Sequence, residues 1–579
     1  MDDLQHLRPA RAAPDGGSAP VHGETLSPSD PGWLSYVEAP LVVDSEPGWA
    51  DSADVVVVGF GAAGASTALQ AREAGADVLI VDRFTGGGAT AASGGVLYAG
   101  NTRYQKEAGF DDTPEAMFNY LKVETQGVVK DSTLRKFCEE SAANLEWVAA
   151  QGATYSSALY KEKTVYPPEG KFLYYAGNEL LPRNEAISKP APRGHRTVGK
   201  GVFCGAYLFE ALRKSVLAKG ARLLQHAPVV RLVTDRAGNV LGVEVKRLVP
   251  GSKAYKTHDK EIRQIDRWGR FLPPRVKKQN LKLEKLEQDA GERMLIRARG
   301  GVVLSAGGFA FNQQFVDRYA PLYSGSFPVG SAGCDGSGIR LGQSVGGVAQ
   351  KMDSIAATRA IAPPSEFIQG IIVDENAQRF VEEDAYAGSL GRVIADHRSK
   401  KNYLIIDEAM HKAAYKVARR FEPGWLVLNF PVLRTLLTNC VGAKDLPSLA
   451  RKIGLDPVAL QQTFTKYEEG VARHEDPFGK NPHYLRKLEG KLYAIDVSPD
   501  NKNTTCMIIT MGGLAIEEET GHVVRADGQP IKGLFAAGRT AIGIPSQFYV
   551  SGTSLADCVF SGRRAGSHAA QEALQRNAD

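Results

Sequence analysis

The sequence predicts an α/β fold in two lobes, with a smaller α+β unit inserted late in the chain. Three observations carry this. Asp54-Val-Val-Val-Val58 runs straight into Gly59-Phe-Gly61-Ala62-Ala63-Gly64. Apolar runs ending in glycine recur at Gly301-Val-Val-Leu-Ser-Ala-Gly307 and Gly533-Leu-Phe-Ala-Ala-Gly538. A more polar stretch, about 341 to 494, separates those two runs. A strand covered on both faces reads as a continuous apolar run. The first lobe is therefore expected over 46–340 and 495–579, and the inserted unit over 341–494.

Residues 1–45 are rich in Pro, Gly, Ser and Asp and lack periodicity, so a mobile N-terminal extension is expected there. The four valines 55–58 read as a buried strand, and 62–74 as a helix of small residues. Between them, Gly59 allows a tight turn, Gly61 a close approach of the backbone to a pyrophosphate, and Gly64 close helix–strand packing. Phosphates would sit on the free N–H groups at the helix start, around Ala62 and Ala63. A second strand, 77–81, ends at Asp82. Asp82 lies 23 residues beyond Gly59, near the ~20 at which an acid accepts a ribose 2′-hydroxyl. This pattern is Rossmann-like and predicts a dinucleotide without a 2′-phosphate. The loop Gly86-Gly-Gly-Ala-Thr90-Ala-Ala-Ser93-Gly94-Gly95 follows. A nicotinamide domain does not require it, and its glycines and hydroxyls suit a wrap around a pyrophosphate and a flavin ring.

Further on, 208–220 reads as a helix and 221–233 as a strand. Another strand, 240–245, follows the turn Asp235-Arg-Ala-Gly-Asn239. Residues 251–293 break the pattern, with twelve Lys or Arg against seven Asp or Glu. A solvated excursion is the plain reading. A patch for an acidic partner, or peripheral contact with a membrane surface, is the sharper one. The strand 301–304 and the glycine turn at 307 then return under the first lobe.

At 579 residues, length alone suggests about four domains, and one large domain with an insertion also fits. A net charge of +5 is too small to argue for nucleic acid. The six cysteines (138, 204, 334, 440, 506 and 558) form no CxxC. That argues against c-type haem, an obvious zinc site and a cysteine-clustered iron–sulfur centre, and it fits a reducing compartment. There is no apolar run long enough to span a bilayer and no signal-peptide pattern. A cytoplasmic protein without metal is the expectation.

On six motifs the chain resembles the fumarate reductase and succinate dehydrogenase flavoproteins and their 3-ketosteroid dehydrogenase relatives. These motifs are the glycine turn, Thr90–Gly95, Ser305–Asn312, Arg379-Phe-Val-Glu-Glu383, Thr510–Gly513 and Gly533–Ser554. The resemblance implies a bilobal flavoprotein in which a capping domain covers the substrate. It implies FAD as cofactor and redox chemistry at a carbon–carbon bond beside an activating group. Besides the residues already named, it implies cofactor contacts from Arg83, Val229, Ala306, Gly307, Gly538, Arg539, Ser554 and Leu555. Succinate dehydrogenases attach FAD to a histidine in the Thr90–Gly95 loop; none stands there, so FAD is expected to be non-covalent. Fumarate reductases hold a dicarboxylate with a histidine before the Thr-Met-Gly-Gly motif, where this chain has Ile508 and Ile509. They also use two arginines, and here Tyr549 and the run Glu383-Asp384-Ala385-Tyr386 occupy those segments. An arginine clamp suits carboxylates, whereas a tyrosine donates one hydrogen bond and suits a ketone. Tyr549-Val-Ser551-Gly552 is most similar to the branch that desaturates the Δ4 bond of 5α-3-ketosteroids; the Δ1 branch tends to carry proline and glycine after this tyrosine.

The mechanism this implies gives Tyr549, with the Gly552 N–H, the ketone oxygen, as in an oxyanion hole. Tyr386, relayed through Ser551, removes the α proton, and the β hydrogen leaves as hydride over roughly 3–3.5 Å. Ionising a phenol of pKa ~10 at pH 7 costs about 4 kcal/mol, so either tyrosinate is stabilised or the optimum is alkaline. Tyr155, Tyr160, Tyr166, Tyr174 and Tyr175 fall in one Pro-containing stretch and read as loop anchors rather than as a substrate entrance. His195 reads as structural. Alternatives stay open: a Δ1-dehydrogenase, an enone or fumarate-type reductase, or a non-catalytic flavin-binding scaffold. No second dinucleotide fingerprint for NADPH is found, so the electron acceptor is left unnamed.

Overall fold

The computed structural model describes residues 21–578, apart from 31, 35, 269–272, 360–363, 398 and 421–424. Its main sheet has nine strands. At the centre, Asp51–Val58 lies parallel to Val78–Val81 on one side and to Glu292–Leu304 on the other, with Val56 opposite both Leu79 and Val302. Side chains alternate along a strand, so Val55 and Val57 enter one core with helix Ala62–Glu73. Val56 and Val58 enter a second core on the other face. This double covering is why the run contains no polar residue. Helix Ala62–Glu73 is itself overlaid by the last helix, Thr553–Ala578, through small residues including Ala65, Ala68, Ala565 and Ala569.

Glu292–Leu304 changes partners along its length. Its first half pairs antiparallel with Val240–Arg247, and its last residues pair parallel with Pro530–Ala536. The strand expected over 221–233 is two strands. Arg222–Leu224 pairs with Val78–Val81, and Val229–Thr234 pairs with Val240–Arg247. The chain breaks between them because His226 takes φ 52° and Pro228 has no N–H for a ladder.

Two expectations are corrected. Residues 1–20 lie outside the described residues, but the described part of 21–45 is packed rather than mobile. Leu26, Leu34 and Val37 are buried, and Leu41–Val42 pairs parallel with Val229–Thr234. The basic segment is a helical hairpin, Lys253–Trp268 and Pro273–Ala290. Its inner face is not solvated: Ile262, Ile265, Val276 and Leu283 pack with Phe84 and Ala332 of the first lobe.

The second unit has an antiparallel sheet in the order Ile371–Asp374, Asn402–Asp407, Leu492–Asp496, Cys440–Ala443. Its core draws on residues between Phe367 and Val497. Leu341, Ala349, Met352, Ile355 and Ala357 instead pack into the core of the first lobe. Between the lobes stands a three-stranded sheet, Phe327–Pro328, Cys506–Thr510 and Ile355–Arg359. Among the described residues, no helix is long and apolar enough to cross a membrane.

Candidate active site

The glycine turn is built as the spacing requires. Gly59 has φ 101°, and a Cβ on Gly64 would stand 2.0 Å from the Gly59 carbonyl oxygen. Strand and helix can therefore meet only with hydrogen at position 64. The turn opens on a cavity of about 270 Å³. Gly59, Gly61, Ala62 and Ala63 form one wall, Asp82, Arg83 and Thr90 another, and Val229, Ala306, Gly307 and Arg539 close it. The helix start carries no acidic residue in its first turn and no side-chain cap from Gly61; the Ala62 N–H donates to Thr90 Oγ1 at 2.9 Å. Asp82 accepts the N–H groups of Phe60 and Phe84, each at 2.7 Å. A carboxylate offers about four acceptor positions, so capacity for a hydroxyl remains.

Four cavities lie in series. A second, of about 90 Å³, shares Ala89, Thr90, Arg539 and Cys558 with the first. Ser93, Gly94, Gly95, Ser554 and Leu555 line it. A third, also about 90 Å³, shares Tyr166, Val329, Gly330, Ile509, Tyr549 and Ser551 with the second. Tyr386 lines this third cavity, and its ring stands 6.0 Å from that of Tyr549 at 63°. A fourth, of about 530 Å³, shares Phe327, Val427 and Met507 with the third. Among the described residues lining the third cavity there is no Lys, Arg, His, Asp or Glu.

Tyr549 and Tyr386 are brought together from opposite lobes. Tyr549 precedes the turn Ser551-Gly552 that starts the last helix. Gly552 is held there with φ 90°, its carbonyl accepting the Tyr98 N–H at 3.2 Å. Tyr386 is the N-cap of Ala387–Asp396, and its N–H donates to Asn178 Oδ1 at 2.6 Å. The Arg379–Glu383 motif just before it is structural. Arg379 Nη2 meets Glu383 Oε2 at 2.7 Å and Lys480 Nζ meets the same oxygen at 3.3 Å, all buried. Strand alternation explains the neighbouring wall, since Met507 and Ile509 line the third cavity while Ile508 is buried in the core.

Burial pushes the Tyr549 phenol up to about 12, against a smaller opposing pull from the Gly552 amide and the Ser551 hydroxyl. Burial, reinforced by Tyr549, Tyr166 and Tyr174, raises Tyr386 well above its usual range. Both phenols are therefore protonated at neutral pH. The Ser551 hydroxyl acts on three of these phenols, Tyr174, Tyr386 and Tyr549.

The family model for an FAD binding domain matches residues 54–555, a span that takes in all of these motifs. The chain belongs to that FAD-binding family. It is 39% identical to the 3-oxo-5-alpha-steroid 4-dehydrogenase of Comamonas testosteroni, over 85% of this chain and 93% of that protein. It is 26% identical to the cytochrome-type fumarate reductase of Shewanella frigidimarina, over 90% of this chain and 77% of that one. Among solved structures it is similar to the 3-ketosteroid-Δ4-(5α)-dehydrogenase of Rhodococcus jostii RHA1 in complex with 4-androstene-3,17-dione. That match has 30% identity and a TM-score of 0.77, and covers 92% of this chain and all of the other.

The site fits the cofactor of this FAD-binding family. Arg539 is buried and lines both the first and second cavities, yet its Nη1 has no hydrogen-bond partner in the protein. Such an orphaned donor calls for an acceptor from a ligand. Gly64 and Gly538 are not among the residues lining the cavities; Gly538, at φ 58°, sits where a Cβ would stand 2.9 Å from that of Ala63. The guanidinium of Arg83 is engaged by the protein, with Glu287 at 2.8 Å and Asp335 at 2.6 Å. His195 is fully buried, its Nδ1 donating to the Arg193 carbonyl at 2.9 Å and its Nε2 2.8 Å from Thr102 Oγ1. Burial lowers it to about 4, so it is a neutral structural residue.

Sequence reasoning missed several walls. Tyr36, from the supposed mobile extension, and Asp266, from the basic hairpin, both line the first cavity. Tyr166, read as a loop anchor, lines the second and third. No local spacing signals them.

Proposed function

We propose that this chain desaturates a 5α-3-ketosteroid between C4 and C5. The observation that carries this is the third cavity, with two facing phenols in a wall that has no charged group among its described residues. A dicarboxylate there would lose its hydration without gaining an ion pair, at a cost of several kcal/mol. A ketone needs one or two donors in an apolar slot, and this cavity supplies them. The relatives support the same choice, because the protein at 39% identity is named for this reaction.

FAD, when bound, supplies the two-electron acceptor for the hydride from C5. It is held without a covalent link, since residues 90–95 contain no histidine. Gly59, Gly61, Ala62, Ala63 and Thr90 would hold its pyrophosphate, Asp82 would accept a ribose hydroxyl, and Val229, Ala306 and Gly307 would complete that part of the site. Ser93, Gly94, Gly95, Arg539, Ser554 and Leu555, which line the second cavity, would hold the flavin ring. Tyr549 donates to the C3 oxygen, aided by the Gly552 N–H, and stabilises the enolate that forms. Tyr386, in its phenolate form, takes the C4 proton and becomes the neutral phenol, with the Ser551 hydroxyl as the relay between the phenols. The apolar wall of Met507, Ile509 and Val329 keeps water from the developing charge.

The test is anaerobic mixing of the yellow holoprotein with a 5α-saturated 3-ketosteroid. Bleaching of the visible flavin band with a 4-ene product is expected. A 1-ene product would shift the reaction to the Δ1 bond, and no bleaching with any 3-ketosteroid would overturn the reading.

A further inference from the structure

The fourth cavity, about 530 Å³, is several-fold larger than the third and opens beyond it. Its throat is apolar. Phe327 and Met507, register partners in the sheet between the lobes, stand there with Val427. The rest of the lining is cationic, with Arg359, Arg434 and Lys502 against one acid, Asp500, and Arg359 adjoins the throat because its neighbour Thr358 pairs with Met507. Asp500 acts on Lys401, which is outside this lining.

Arg359 is the informative residue. It ends the strand whose Ala356 and Thr358 line the third cavity, and it is 1% exposed. Its Nη1 and Nη2 donate to the carbonyls of Ser498 and Pro499, both at 2.8 Å. Its Nε is buried with no hydrogen-bond partner, and among the described residues its side-chain partners are these two carbonyls. Arg434 and Lys502 are exposed and likewise lack an acidic partner among the described residues. Arg434 Nη2 donates to the Lys502 carbonyl at 3.4 Å. A buried guanidinium held by carbonyls alone is costly unless an anion compensates it.

We infer that the fourth cavity is a subsite for the substrate's side chain and that Arg359, Arg434 and Lys502 select a side chain ending in a carboxylate. This deepens the ketosteroid reading and rests on it. With the ketone at Tyr549, the far end of the ring system reaches the throat. The side chain then crosses the Phe327–Met507–Val427 ring, and its charge meets the guanidinium groups beyond. A carboxylate accepts two parallel N–H bonds from one arginine, which an ester cannot reproduce at full strength.

The experiment compares a 5α-3-ketosteroid bearing a carboxylate-ended side chain with its methyl ester at low ionic strength. The holoprotein and the double variant Arg434→Gln/Lys502→Gln are each tested, with Arg359→Met as a further variant. The wild-type kcat/KM is expected to favour the acid by about tenfold or more, the worth of a charge-assisted hydrogen bond. In the double variant the acid-to-ester ratio should fall toward one. The ester is the internal reference, so a variant that merely folds poorly lowers both rates and leaves the ratio unchanged. A wild-type ratio near one, or a ratio that the double variant leaves intact, would overturn the inference. Binding is read in parallel from perturbation of the flavin spectrum. If neither ketone turned over, the ketosteroid reaction would fall, while a Kd favouring the acid and lost in the double variant would still support the anion subsite. Equal Kd values would remove it.

Discussion

Tyr386 is buried and Tyr549 half-buried, and the protonation of their phenols sets what each can do. A protonated Tyr549 is a donor in the resting site, so Tyr549→Phe removes the donor and little volume. Anaerobic flavin reduction should slow by about 10²–10³-fold, as for loss of one oxyanion donor, with FAD content unchanged. An undiminished rate would remove Tyr549 from the reaction. Tyr386 has to lose its proton before it can accept one, and burial raises its pKa. Below that pKa the deprotonated fraction grows tenfold per pH unit. The logarithm of kcat/KM for dehydrogenation should therefore climb with a slope of about one from neutral pH into the alkaline range. A profile peaking in acid would exclude a tyrosine base.

At the scale of elements, the basic hairpin carries more than charge. Its second helix delivers Glu287 to Arg83 and to His258 Nε2, both at 2.8 Å. His258 Nδ1 in turn stands 2.9 Å from His226 Nδ1. Asp266 of its first helix lines the cofactor cavity. Removing one partner of a buried pair leaves the other charge uncompensated, at about 3–5 kcal/mol. Glu287→Ala should lower the denaturant midpoint and increase FAD loss on gel filtration, relative to Lys285→Gln on the exposed face of the same helix. Equal FAD retention by the two variants would reduce the hairpin to a surface ornament. The glycine turn and its flanking strand were legible because each requirement is local. Four consecutive valines report burial on both faces, and Gly64 reports a 2.0 Å approach that no side chain tolerates. The hairpin's packing was not legible, because its apolar positions are diluted by lysine and arginine and its partners, Phe84 and Ala332, lie far away in sequence.

At the scale of the molecule, the site exists only where the lobes meet. Asn178 illustrates the joint: its Oδ1 takes the Tyr386 N–H while its Nδ2 donates to Glu124 Oε2 at 2.9 Å. Asn178→Ala should lower kcat by about tenfold, the scale of one buried hydrogen bond, while flavin content stays at the wild-type level. Loss of flavin in parallel with kcat would mean that the joint stabilises the whole fold instead of positioning Tyr386.

The sequence by itself determined the dinucleotide turn, a matter of residue type at a short spacing; the reading of 508, 509 and 549 as lacking a carboxylate clamp, and of Tyr386 and Tyr549 as its replacement, came from the resemblance to the flavoprotein family. Tertiary structure alone decided the rest. It placed Tyr36, Tyr166 and Asp266 in the walls, engaged Arg83 with Glu287 and Asp335, and set four cavities in series from the glycine turn to Arg359. Those features depend on side chains hundreds of residues apart converging in space, and no local period or composition encodes such convergence.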